Sequence, residues 1–163
     1  MTVRRGPHLA LLGGLLALSA CVTETVEQRR EPAAATAARP ALSLTLQSDR
    51  AAYYLGQTVQ LELLLTNNSA IPVSMALPTG QLYDFRVLRD EREIWRWSAG
   101  RAFVQAITEV LLDPGQRGRY RVDWDQRDQQ GRSVLAGLYE VEAIWLGGEQ
   151  YGLLPIRLPI EIR

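Results

Sequence analysis

Lysine is absent from this chain of 163 residues: all 18 basic residues are arginine, the single histidine is His8 and the single cysteine is Cys21. Without lysine there is no Schiff-base chemistry and no Ser-Lys dyad. With His8 and Cys21 both inside the first 21 residues, no later segment supplies a Ser-His-Asp or Cys-His nucleophile, a zinc site of nitrogen and sulfur ligands, or a blue-copper centre. No catalytic residue, cofactor or metal site is expected. Runs of five or more basic residues are missing as well, so nothing marks a nucleic-acid surface.

Long apolar runs are also lacking. The longest, residues 9–18, covers about 10 positions where a membrane-crossing helix needs roughly 20. It follows Arg4 and Arg5 and closes on Leu18-Ser19-Ala20-Cys21, which predicts a secretory signal over residues 1–20. Leu-Ser-Ala-Cys resembles the lipobox at which bacterial lipoproteins are cleaved and their cysteine diacylated. Cys21 is therefore the expected lipidation site, and two acyl chains suffice for stable membrane attachment. Val22 stands where aspartate is the usual inner-membrane retention signal. The expected address is the cell envelope, on the outer membrane facing the periplasm if the cell is Gram-negative.

With Cys21 lipidated, an exported domain has no disulfide and depends on its hydrophobic core. Removal of the signal leaves 16 arginines against 18 carboxylates, a net charge of −2. Residues 22–40 are polar, then rich in Ala, Thr and Pro, with no apolar period that could bury a face. Together with Cys21 they read as a tether, with an end-to-end distance of roughly 25 Å.

From residue 41 onward, short alternating apolar and polar runs are separated by turn residues, the pattern of an antiparallel sandwich. Leu42, Leu44 and Leu46 alternate with polar residues, and Val59, Leu61, Leu63 and Leu65 form the clearest one-sided strand. Residues 81–88 and 93–97 read as a hairpin with a turn at Asp90, Glu91 and Arg92. Its inward side is Tyr83, Phe85 and Val87, with Leu82, Asp84, Arg86 and Leu88 on the other. Residues 101–112 hold Phe103, Ala106, Ile107 and Val110 at helical spacing, so either a short helix over 101–112 or a single helical turn followed by a strand at 108–112 is expected. Further strands are expected at 71–77, where Pro72 implies an edge, at 118–125, at 138–145, and at 156–162, where Pro159 again implies an edge. Asp113-Pro114-Gly115-Gln116 suits a type II turn, and residues 147–150 read as a hairpin loop. No repeat of 33 to 45 residues suggests a propeller or solenoid. The expected fold for residues 41–163 is an all-β, immunoglobulin-like antiparallel β-sandwich of seven to nine strands.

Carboxylates cluster at Asp113, Asp123, Asp125 and Asp128. Asp123 and Asp125 share the solvent side of their strand, opposite Trp124, and read as a hydrated rim. The sequence there also lacks the glycine and closing glutamate of a calcium loop. The four tryptophans suit sheet packing. Trp95 is the one expected to be partly exposed, because Arg92 and Arg96 flank it near the hairpin tip, where a guanidinium can stack on an indole.

Gly80-Gln81, Tyr83-Asp84-Phe85, Trp95-Arg96-Trp97-Ser98, Phe103, Pro114-Gly115, Trp124, Gly131, Gly137 and Tyr139 together resemble the intracellular proteinase inhibitor (BsuPI) family, over roughly residues 41–146. The resemblance implies an immunoglobulin-like sandwich and inhibition of a subtilisin-like serine protease. The address read from the first 21 residues differs from the family's intracellular one. Two functions follow as expectations. One is an envelope-anchored inhibitor whose partner is a serine protease, bound through an exposed loop at 78–82 or 147–152. The other is a non-enzymatic interaction or assembly module of the envelope. The candidate binding residues are Pro78, Thr79, Gly80, Gln81, Trp95 and Ser98.

Overall fold

In the computed structural model, residues 41–163 are described. The expected signal, Cys21 and the tether to residue 40 lie outside them. Ten strands follow in order: β1 Leu42–Ser48, β2 Ala52–Tyr53, β3 Val59–Asn67, β4 Val73–Leu77, β5 Tyr83–Arg89, β6 Arg92–Arg96, β7 Thr108–Leu112, β8 Arg117–Trp124, β9 Gly137–Trp145 and β10 Ile156–Ile162. They form a three-stranded sheet β1-β3-β8, a five-stranded sheet β2-β10-β9-β5-β6, and a pair β4-β7. The sandwich is as expected, with ten strands rather than seven to nine. The strand missed outright is β2, because two residues are too few to show alternation. It runs parallel to β10, with Glu161 opposite Ala52 and Ile162 opposite Tyr53. The chain thus crosses from one sheet to the other between β1 and β2.

Alternation decides the core. On β3, Val59, Leu61, Leu63 and Leu65 are all buried, and on β9 so are Tyr139, Val141, Ala143 and Trp145. Each fully buried side chain of this size contributes about 1.5–3 kcal/mol. One cluster joins Leu46, Tyr53, Leu61, Phe85, Val87, Trp124, Tyr139 and Ile160. A second joins Leu42, Leu65, Met75, Leu77, Leu112 and Trp145. Leu44, Tyr83 and Tyr120 pack against both, so the core is continuous.

Tyr139, near the start of β9, donates its hydroxyl to the carbonyl of Leu135 four residues upstream. This is the tyrosine corner of immunoglobulin-like sandwiches, and it ties the crossover between sheets to the strand it feeds. Gly115 has φ 74°, and the Gln116 N–H donates to the Asp113 carbonyl at 2.9 Å, as a type II turn requires. Pro159 lies on β10 where β9 is the only partner, since β2 reaches only Glu161 and Ile162. Its missing N–H therefore breaks no ladder.

Four local expectations are corrected. The β5–β6 turn is made by Asp90 and Glu91 alone, at φ 49° and 61°, and Arg92 already belongs to β6. Positive φ at both centre positions is what a two-residue hairpin turn demands of the chain, even without glycine. Residues 101–107 contain no helical turn; β7 starts at Thr108, whose β-branched neighbours join β4 instead. Residues 147–150 are no simple hairpin loop, because Glu149–Tyr151 is a turn of 3-10 helix. Finally, Asp84, Leu88 and Glu142 lie on the outer side of their strands yet are buried, as is Asn67 at the end of β3. Polar partners from other strands cover the two carboxylates.

Candidate functional site

The β5–β6 hairpin supports one end of the sandwich. The Trp97 N–H donates to the Phe85 carbonyl at 2.8 Å, carrying the ladder one residue past β6. Trp97 then stacks on Tyr83, with ring centres 4.7 Å apart and 21° between planes. Tyr83 meets Phe85 edge-on at 5.8 Å and Tyr120 at 4.9 Å. Phe103 closes on Trp97 at 5.7 Å. The Arg101 guanidinium lies over the Trp97 ring at 4.7 Å, and its Nε donates to the Trp97 carbonyl at 2.8 Å. An aromatic column thus runs from the core to the surface at this end, topped by a cation.

Ser98 follows directly. Its N–H donates to Asp84 Oδ1 at 3.1 Å and its hydroxyl to Asp84 Oδ2 at 2.6 Å. Arg96 Nη1 donates to the same carboxylate at 2.8 Å. Asp84 is 3 % exposed, and these donors supply what water would otherwise give. The Ser98 hydroxyl is a structural clamp here.

The segment after β4 meets the same end. The Gln81 N–H donates to Thr79 Oγ1 at 3.1 Å, and Gln81 Nε2 to the Tyr83 carbonyl at 3.4 Å. The Gly80 N–H donates to the Val104 carbonyl at 2.8 Å. A Cβ on Gly80 would stand 3.6 Å from the Val104 backbone, an ordinary contact. Pro78 and Gly80 are exposed, while Thr79 and Gln81 are half-buried. Ser98 therefore sits at the root of residues 98–107, and Gly80 is bonded to the middle of that segment at Val104. Sequence reasoning missed this loop, because the chance spacing of Phe103, Ala106, Ile107 and Val110 mimics a helix. The available signal was Gly100, at φ 76°, followed by a segment that leads into a paired strand.

Trp95 does not join this group. It is half-buried and faces inward, 6.2 Å from Trp124. Arg96 alternates to the other side of β6, where it binds Asp84 and Glu93, so it does not stack on Trp95. The cation–aromatic contact at this end belongs to Arg101 and Trp97. The other loop expected to bind, residues 147–152, is tied down at Gly148 and Tyr151, while Glu149, Gln150 and Gly152 are exposed. Gly148 is buried, its carbonyl accepts the N–H groups of Tyr151 and Leu153, and the Tyr151 hydroxyl donates to the Ser74 carbonyl at 3.0 Å.

The outer side of the five-stranded sheet carries an ion network. Glu142 binds Arg86, and also Arg157 at 2.9 Å. Arg157 reaches Glu91 at 2.9 Å and Glu140 at 3.0 Å. Burial works to raise the Glu142 pKa, but hydrogen bonds from Arg86 and Arg157 outweigh it and hold the carboxyl below its ordinary value. Asp123 and Asp125 are exposed on the rim of β8, and Asp128 accepts from the N–H groups of Gln130 and Arg132 in its own loop. Among the described residues, no three His, Cys, Asp or Glu side chains group as metal ligands.

Several solved structures are similar to this chain at low identity. The alkylpurine DNA glycosylase AlkC of Pseudomonas fluorescens, bound to DNA containing an abasic site analogue, is 16% identical with a TM-score of 0.46, over 76% of this chain and 30% of that one. A β-glucosidase of Erythrobacter marinus is 16% identical at a TM-score of 0.45, over 75% of this chain and 15% of that one. The CARDB domain of a Pyrococcus furiosus protein, in complex with di-metal ions, is 12% identical at a TM-score of 0.41, over 75% of this chain and 87% of that one. The chain thus spans less than a third of the first two. No curated protein matches it.

The family model described as intracellular proteinase inhibitor, BsuPI, matches residues 46–150. That span runs from the end of β1 into the 3-10 turn after β9, and includes the hairpin, the tyrosine corner and the whole of residues 98–107. By this match the chain belongs to the intracellular proteinase inhibitor (BsuPI) family.

Proposed function

We propose that this chain is a proteinase inhibitor held at the cell envelope by a lipid on Cys21, and that it blocks a subtilisin-like serine protease through loops at one end of its sandwich. The family match over residues 46–150 carries this reading. The end of the domain built by Tyr83, Trp97, Arg101 and Phe103 supports it, because there two loops are joined by the bond from Gly80 to Val104. Loops held in place before contact lose little conformational freedom when an enzyme binds them. An envelope address also puts the domain where exported proteases act, clear of the lipid by the length of the tether.

The test is titration of the chain lacking residues 1–21 against subtilisin-class and trypsin-class enzymes. Stoichiometric loss of activity with one class at micromolar concentration is expected. No inhibition of either would leave the domain as an interaction or assembly module of the envelope.

A further inference from the structure

Residues 101–107 contain no helix or strand, yet both of their flanks are fixed. On one side Arg101 is bound to Trp97, and Phe103 packs on the same ring. The Val104 carbonyl accepts the Gly80 N–H at 2.8 Å. On the other side Thr108 enters β7 opposite Leu77. Between these anchors the side chains point outward: Val104 is 71% exposed and Ile107 76%, with Gln105 and Ala106 exposed between them. An exposed segment held at both ends loses little conformational freedom when another protein binds it, and this one presents two aliphatic side chains, Val104 and Ile107.

Resting on the inhibitor reading above, we propose that residues 104–107 are the segment that enters the protease cleft, with Ile107 filling an apolar primary specificity pocket. Of the segment's two exposed aliphatic residues, Ile107 is selected over Val104 by the hydrogen bonding of the loop. The residue in that pocket turns its carbonyl toward the enzyme's oxyanion-hole donors, and the Val104 carbonyl is already taken by Gly80. Arg101 is the only basic residue of the loop, and its guanidinium is held against Trp97. It is therefore withheld from the acidic pocket of a trypsin-class enzyme. The target is a serine protease that accepts medium-sized aliphatic side chains.

The experiment uses the full chain in detergent, assayed against subtilisin, pancreatic elastase and trypsin, with Ile107→Arg and Leu154→Arg compared to the unaltered protein. Leu154, 78% exposed in a different loop, is the control. The unaltered chain inhibits subtilisin or elastase more strongly than trypsin. Ile107→Arg weakens that inhibition by about 100-fold and strengthens inhibition of trypsin, whereas Leu154→Arg stays within about threefold. Circular dichroism of each variant verifies folding, which substitution at so exposed a site leaves intact. If the unaltered chain inhibits subtilisin but Ile107→Arg stays within about threefold on all three enzymes, the loop assignment falls and the inhibitor reading stands; if trypsin is the preferred target, the loop assignment falls together with the subtilisin-like target, and inhibition itself stands. If the unaltered chain inhibits none of them, both fall.

Discussion

Asp84 and Ser98 are joined by two hydrogen bonds, one from the Ser98 N–H at 3.1 Å and one from its hydroxyl at 2.6 Å, although Asp84 lies on the outer side of β5. The pair fixes the point at which residues 98–107 leave the hairpin, and Arg96 adds a third donor. The same contacts set the first prediction.

Asp84→Ala strips the acceptor from Arg96 and from Ser98 and is expected to cost about 2–3 kcal/mol in urea denaturation, below the full value for a buried pair because Arg96 keeps contact with water. Ser98→Ala removes one hydroxyl bond and is expected to cost about 1 kcal/mol. Ser98→Ala should leave protease inhibition unchanged. A variant that lost inhibition while keeping its stability would make Ser98 a contact residue instead of a clamp.

Glu142 sets a pH dependence. Its carboxyl is held below its ordinary 4.5 by Arg86 and Arg157, against the opposing effect of burial. A group whose folded-state pKa is depressed contributes stability that is complete above the unfolded value and is lost as the pH falls through the folded one. Melting temperature should therefore hold steady near neutrality and drop as the pH is lowered below 4.5. Glu142→Gln should start lower and flatten that drop. Glu62 and Asp49 are shifted in the same direction, so the variant retains part of the slope. An unchanged slope would show that the Glu142 network contributes nothing to acid stability.

Asn67 joins the end of β3 to two other segments. Its Nδ2 donates to the carbonyls of Ile71 and Leu112, both at 2.9 Å, and its Oδ1 accepts from the N–H and hydroxyl of Ser69. Asn67→Ala orphans these groups in a fully buried place, for an expected loss of about 2–3 kcal/mol. Asn67→Asp should be at least as damaging, since it removes both donors and introduces a buried charge. Chemical denaturation of the two variants tests the ranking; an Asn67→Asp protein as stable as the unaltered one would contradict it.

Cys21→Ser tests the anchor. In cells, the unaltered chain should partition with membranes and the variant should appear in the soluble fraction, because one signal-derived apolar run of about 10 residues is too short to span a bilayer. Equal membrane association of both would rule out attachment through a lipid on Cys21.

The candidate site was legible only in part. Gly80 and Ser98 were marked as ends of the hairpin; Ser98 does form the root of one surface loop, and Gly80 is bonded to its middle at Val104. The loop they hold, residues 98–107, was not legible, because four apolar residues at helical spacing look the same whether they pack or point outward. Trp95 is half-buried, in line with the partial exposure expected of it, but the expected arginine stacking is absent for a related reason. Its arginine neighbours are adjacent in sequence, but alternation on a strand sends Arg96 to the opposite side.

The sequence alone determined the sandwich and its core. A period of two is a local property, and Val59, Leu61, Leu63 and Leu65 had to share one side of any strand they formed. Only the tertiary structure decided which charged residues become buried. Glu142 is covered by Arg86 and Arg157, which are 56 and 15 residues away along the chain, and Asp84 by Arg96 and Ser98 across the hairpin. No local pattern encodes such pairs, since each exists only once sheet pairing has set the register that brings its partners together.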